Sequence, residues 1–201
     1  MKRGDFIGRE FFERDPLTCA EELIGCELIW NDVAGKVVEV EAYAEDGDEA
    51  CHTFHRPSAR RFIAEHDAGA AYVYMNYGVH WLLNALVKGR VNGFVLFRAL
   101  EPTRGAGVME GRRLARAKGA RGFGLEGLCS GPGKLTQALE IDGRDHGRDL
   151  CAGGGVGFLP GAGRVAVERD VRIGISKAGH LRWRFLERGS GFVSVRAGRG
   201  G

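Results

Sequence analysis

The chain has 201 residues, enough for one domain with a sizeable core, and its apolar (44%) and charged (27%) fractions are those of an ordinary soluble protein. No apolar run reaches the roughly 20 residues of a membrane-spanning helix, and the opening MKRGDFIGRE has no apolar segment of the kind a secretory signal carries. The net charge of +3 excludes little by itself, but it is unevenly spread. Acidic residues crowd positions 39–49, whereas between 104 and 121 Arg104, Arg112, Arg113, Arg116, Lys118 and Arg121 oppose Glu110 alone. A local excess of this kind suits a polyanion, although a solvated helix face produces the same pattern. Cys19, Cys26, Cys51, Cys129 and Cys151 are scattered, odd in number and contain no CxxC pair. They fit reduced thiols in a cytoplasmic protein, associated with the nucleoid if the source is bacterial.

In chain order, Asp15-Pro16-Leu17 reads as a helix start, with Leu17, Ala20, Leu23 and Ile24 as its apolar stripe and Gly25 as its stop. Residues 26–30 form a predicted strand, and 31–35 turn into the stretch GKVVEVEAY at 35–43. Its valines suit a strand, on which Glu39, Glu41 and Tyr43 share one face and Val38, Val40 and Ala42 the other. Charges alternating with valines usually mark the wet side of a sheet; the alternative is that Glu41 is retained for a task. Residues 45–69 are polar and long for a loop. Asp48, Glu49, His52 and His55 invite a metal reading, but HxxH without HExxH or a second ligand cluster is a weak pattern, and no metal is expected.

Residues 70–87, AAYVYMNYGVHWLLNALV, read as a β-hairpin turning at Asn76-Tyr77-Gly78. Tyr72 and Tyr74 share a face. A tyrosine at a hairpin tip either folds back on the core or protrudes as a wedge able to enter between stacked bases. Asn84 stands in an apolar strand, where its amide needs partners or selects a ligand. Strand 94–100 (FVLFRAL) carries Arg98, which demands an anion; Glu41 is the economical candidate, in a catalytic or a purely structural pair. Residues 103–119 are helix-like and hold the basic cluster, including Arg112 and Arg113. Ser130 is the expected N-cap of the helix that follows, with Lys134 near its start as a phosphate contact. Residues 151–163 read as a glycine-rich loop, strands are expected at 171–175, 181–186 and 192–195, and 197–201 as a loose tail.

Three motifs are decoys. GFGLEG at 122–127 matches GxGxxG, but a basic helical run precedes it, not a strand. GPGK at 131–134 lacks P-loop spacing, and LPGAG at 159–163 lacks the helical flanks of a helix–hairpin–helix.

Five collinear blocks, EVEAYAEDGDEACH (39–52), YVYMNYGVHWLLN (72–84), FRALEP (97–102), LCSGPGKLTQAL (128–139) and RDL (148–150), resemble the alkyladenine DNA glycosylase family, the mammalian type of 3-methyladenine DNA glycosylase. The resemblance runs from about residue 6 to 195. It implies an α+β fold: a single mixed domain over 1–201 with a curved antiparallel β-sheet, flanking helices and a protruding β-hairpin. It further implies a monomeric, monofunctional enzyme, free of cofactor and metal. That enzyme would excise alkylated or deaminated purines from double-stranded DNA with water as nucleophile. Glu41 matches the family's catalytic carboxylate and Arg98 the arginine that helps hold the attacking water. Tyr43 matches one wall of the base-binding pocket, His52 and Tyr74 the other, and Asn84 the residue opposing guanine's amino group. Tyr77 matches the intercalating tyrosine. The sequence departs from the family at Ser58-Ala59-Arg60-Arg61, at Ala64-Glu65 and at Asn76, which bears on minor-groove contacts and substrate range. The competing readings are a non-catalytic protein that bends DNA through Tyr77, and a small-molecule enzyme using Glu41 as a base.

Overall fold

The computed structural model describes residues 6–117 and 121–198. Lys118 and the last part of the expected loose tail, 199–201, lie outside the described residues. Among the described residues six short α-helices, the first α1 (Arg9–Phe12), flank one curled antiparallel sheet of eight strands. The sheet runs β3 (Ala71–Asn76), β4 (His80–Lys88), β5 (Asn92–Arg104), β2 (Val33–Ala44), β1 (Glu27–Trp30), β6 (Val156–Leu159). β8 (Arg184–Glu187) pairs with the far half of β2 and with β7 (Val167–Asp170). β2 is therefore central. Its first residues bond β1, Glu39 to Glu41 bond β8, and β5 lines its other edge throughout. Gly93 lets β5 approach closely, because a Cβ there would sit 2.1 Å from the Tyr43 carbonyl oxygen.

The pairing of β2 with β5 slips twice around Glu39. Val37 pairs Leu100 and Glu39 pairs Ala99, so Val38 is extra on β2; Val40 then pairs Phe97, so Arg98 is extra on β5. Bulges bend a strand and re-aim the side chain they carry. They explain why Val37 joins Val40 and Ala42 in the main core, although strict alternation would place it with Glu39. One side of the sheet packs that core against α2 (Pro16–Leu23), α5 (Ala106–Leu114) and α6 (Pro132–Leu139), with Phe97, Phe158 and Phe185 fully buried.

The expected hairpin is present. Several boundaries differ. The polar stretch 45–69 is not a loop but holds α3 (His52–His55) and α4 (Pro57–Glu65), whose Phe62 and Ile63 supply a second core with Tyr72 and Phe94. The glycine-rich 151–163 contains β6, which completes the sheet beyond β1. Gly131, not Ser130, stands at the N-cap of α6. Residues 171–175 and 192–195 are ordered but not strands, for a reason given by the site. Among the described residues no helix is long and apolar enough to cross a membrane. The five cysteines are free, four of them buried.

Candidate active site

Glu39 and Glu41 on β2 are wholly buried, so the reading of this face as wet is corrected. Alternation does aim Glu39, Glu41 and Tyr43 to one side, but that side is covered by residues 171–198 and by the rim of a cleft of about 490 Å³. Tyr43, His52, Tyr72, Tyr74, Asn84, Phe94 and Arg98 line the cleft, and Tyr77 stands at its edge. Glu41 lies immediately beneath. Its Oε1 accepts the Ile173 N–H at 2.8 Å and meets Arg98 Nη1 at 3.2 Å, while its Oε2 accepts the Tyr43 hydroxyl at 2.7 Å.

A buried carboxylate is costly unless it is paired and hydrogen-bonded, and this one has a cation and two hydrogen-bond donors. Burial works against the charge of Arg98, but Glu41 and Glu39 more than offset it and hold its pKa above the ordinary guanidinium value. Burial, with Glu41 beside it, pushes the Tyr43 hydroxyl far above its usual range, so Tyr43 stays protonated and donates.

The walls are aromatic. Tyr43 stands alone on β2. Behind it the guanidinium of Arg172 lies 4.5 Å from its ring centre and 5.2 Å from that of Trp183, with two bonds of 2.6 and 2.7 Å to Asp48. Asp48 is thereby engaged, which removes it from the metal reading. Across the cleft His52 and Tyr74 pack with ring centres 4.4 Å apart, and His52 Nδ1 is 3.1 Å from the Tyr72 hydroxyl. Burial, reinforced by Arg56 and His55, lowers the His52 pKa from 6.5 to about 4, so its ring is neutral near pH 7. Asn84 is buried and donates its amide to the Tyr72 carbonyl at 3.0 Å, which fixes the amide's orientation.

At the hairpin tip Tyr77 is 88% exposed, and its φ of 49° is in the left-handed region that non-glycine residues avoid. It does not fold back. Met75 and Val79 beside it are exposed as well. Gly133 ties the hairpin to α6, since a Cβ there would fall 2.7 Å from the His80 ring.

The expected phosphate contacts separate. Lys134 is exposed near the start of α6. Arg112 is bound to Asp32 at 2.9 Å and to Glu140 at 3.3 Å. Arg113 is corrected: it is buried, donates to the Gly127 and Leu128 carbonyls, and lies 4.0 Å over the Phe123 ring. It braces α5 internally and has no free face for a phosphate. Arg56 and Lys177, not anticipated from the sequence, line the cleft mouth.

Other residues were missed. Arg172, Arg184 and the Ile173 and Ser194 backbones all serve the carboxylates. The rule applied to Arg98, that a guanidinium in an apolar strand needs an anion, would equally have flagged Arg184 within LRWRFLE.

A carboxylate–arginine pair under an aromatic cleft, on a curled antiparallel sheet with a tyrosine projecting beside it, defines an enzyme of the DNA N-glycosylase class. The family model of the methylpurine-DNA glycosylases (MPG) matches residues 10–191. A protein of Rhodopseudomonas palustris (strain BisB18), named as a candidate 3-methyladenine DNA glycosylase, is 41% identical over 96% of this chain and 93% of its own. Similarly named proteins of Rhizobium johnstonii and Chlorobaculum tepidum are 40% and 36% identical, over 92% and 96% of this chain and 88% and 91% of theirs. The chain belongs to the methylpurine-DNA glycosylase family.

Proposed function

We propose that the protein flips damaged purines out of duplex DNA and hydrolyses their glycosidic bonds, acting on 3-methyladenine, 7-methylguanine, hypoxanthine and ethenoadenine in base excision repair. The observation that carries this is Glu41, fully buried yet ionically paired, directly beneath a cleft lined by Tyr43, His52 and Tyr74. A base inside the helix cannot be attacked until it is extruded, at a cost of a few kcal/mol that is smaller at damaged sites. Tyr77 fills the vacated space. The extruded purine stacks between Tyr43 on one side and His52 with Tyr74 on the other, and the electron-rich rings favour a cationic base. His52, being neutral, adds no repulsion.

Bond cleavage builds oxocarbenium-like charge on the sugar. Glu41 opposes that charge and takes the proton of the attacking water, while Arg98 fixes carboxylate and water in place. To reach the water, Glu41 Oε2 exchanges the Tyr43 hydroxyl for it. A purine methylated at N3 or N7 already carries positive charge and leaves as a neutral base without a general acid, whereas hypoxanthine and ethenoadenine must gain a proton on the base as the bond breaks. Asn84, held by its bond to the Tyr72 carbonyl, stands against guanine's exocyclic amine. Lys134, Arg56 and Lys177 meet the phosphates around the cleft. The protein works as a monomer in the cytoplasm, on DNA, without a cofactor or metal.

The test is a duplex carrying one ethenoadenine or hypoxanthine, incubated with protein and then treated with alkali. Strand scission by the native protein, abolished in Glu41→Gln with duplex affinity retained, is the expected result. A gel shift without scission on any lesion, methylated purines included, would favour a non-catalytic DNA-binding protein instead.

A further inference from the structure

We infer that Glu39 is a positioning residue for the catalytic arginine, and that the segment 192–198 completes the active site by clamping Glu39 in place. The inference rests on the roles proposed above for Glu41 and Arg98. It concerns residues that lie partly beyond the stretch matched by the family model, which ends at 191.

Arg98 is bound on three sides. Its Nη1 faces Glu41 at 3.2 Å, its Nε donates to Glu39 Oε1 at 2.9 Å, and its Nη2 reaches Ser194 Oγ at 3.3 Å. Only the first contact touches a proposed reacting group. The other two set where the guanidinium lies. Glu39 in turn is fully buried and saturated with donors: Arg184 Nη1 at 3.1 Å, the Ser194 hydroxyl at 2.8 Å and the Ser194 backbone N–H at 2.5 Å. Arg184 carries the network onward to Asp170 at 2.6 Å and to the Val195 carbonyl at 2.9 Å, and the Gly198 N–H closes it on Asp170 at 2.8 Å.

The bulges give this arrangement its purpose. Arg98 is the extra residue of β5, without a partner on β2, while Glu39 pairs Ala99 and Leu186 between the two slips, so the sheet ladder does not set where the Arg98 side chain lies. Side-chain bonds must. With two carboxylates sharing it, Arg98 cannot collapse onto Glu41 alone. If Glu39 loses its charge, the guanidinium has a single anionic partner in that corner and closes over Glu41, displacing the water that Glu41 is to activate. Misplacements of about 1 Å in such a constellation cost on the order of 100-fold in rate.

The experiment compares native protein, Glu39→Gln and Ser194→Ala in the full chain. Single-turnover release of ethenoadenine from duplex is measured with duplex affinity and thermal midpoint. Expected are rates lower by about 10–100-fold for Glu39→Gln and about 3–10-fold for Ser194→Ala, with affinity for the lesion duplex within twofold. Two results overturn the inference: both variants fold and excise at the native rate, or rate, affinity and thermal midpoint fall together, which marks a structural role only. Should Glu39→Gln fail to fold, Ser194→Ala decides, because removing the hydroxyl of the partly buried Ser194 leaves both carboxylates and both arginines in place. Failure of the underlying reading is distinct: native protein would then excise nothing, or Glu41→Gln would excise normally.

Discussion

Replacing Tyr77 by glycine separates its work on DNA from its place in the fold, because the two effects have opposite signs. The side chain is 88% exposed and holds φ at 49°. It contributes little to the core and imposes a left-handed conformation that costs a non-glycine residue about 1–2 kcal/mol. Glycine removes that strain but adds freedom to the unfolded chain, leaving a net gain of about 0–1 kcal/mol, or roughly 0–4 °C in thermal midpoint at this size. On DNA the change removes the ring proposed above to occupy the gap left by the flipped base. Base–aromatic stacking is worth about 1–3 kcal/mol, so excision from duplex should fall by about 5–150-fold. Single-stranded substrate has no paired partner to displace and should lose much less. The assay is single-turnover release of ethenoadenine from duplex and from single strand, with a thermal melt of each protein. Tyr77→Ala serves as control, since it loses the ring but keeps the strain. Equal losses on both substrates would refute the wedge, and a fall of several degrees in the glycine variant would show that Tyr77 packs on the fold.

Other expectations follow from the same site. Asn84→Ser shortens the buried amide held to Tyr72 and should improve release of guanine-type bases relative to ethenoadenine, by about 1–3 kcal/mol in relative kcat/KM; an unchanged ratio removes its selective role. His52 has a folded pKa of about 4 against 6.5 for an ordinary histidine. The unfolded chain therefore binds a proton that the fold refuses between those values, and stability falls as pH drops through this window, by at most about 3 kcal/mol. Urea denaturation at pH 7 and 4.5 should show a smaller difference for His52→Gln than for native protein, and equal differences would refute the assignment. Lys134→Ala should lower the slope of log affinity against log salt by about one at native stability. Arg113→Ala should leave the slope unchanged and lower the thermal midpoint; the reverse pattern would return Arg113 to the DNA surface.

The elements legible in the sequence were those written in local pattern. The helix after Asp15-Pro16, the valine-rich strand around Glu41, the hairpin at Asn76-Tyr77-Gly78 and the strand carrying Arg98 each show a periodicity or turn signal within a dozen residues, and each is present. The elements misread were decided by partners far away. β6 hides among glycines because its pairing with β1 joins residues more than a hundred positions apart. α3 and α4 are short and polar on one side, and Phe62 and Ile63 become visible as a buried face only against Tyr72 and Phe94. Arg113 sits in a basic run that reads as a surface, yet its guanidinium is consumed by two carbonyls and the ring of Phe123.

The two expected strands that did not form, 171–175 and 192–195, show the physical reason most directly. Both are β-prone in composition, and both would have spent their backbone N–H groups on a sheet ladder. Instead three of those groups go to carboxylates: Val171 N–H to Asp170 at 2.8 Å, Ile173 N–H to Glu41 at 2.8 Å and Ser194 N–H to Glu39 at 2.5 Å. Glu39, Glu41 and Asp170 carry three negative charges, while Arg98 and Arg184 bring two positive ones. Arginine alone leaves this buried cluster one charge short, and oriented amides supply the remainder as fixed partial charge. An intact ladder there would have left a carboxylate underpaired in the interior, at the full desolvation cost. Irregular backbone around Glu41 is thus the condition on which a wholly buried carboxylate keeps its partners beneath the aromatic cleft.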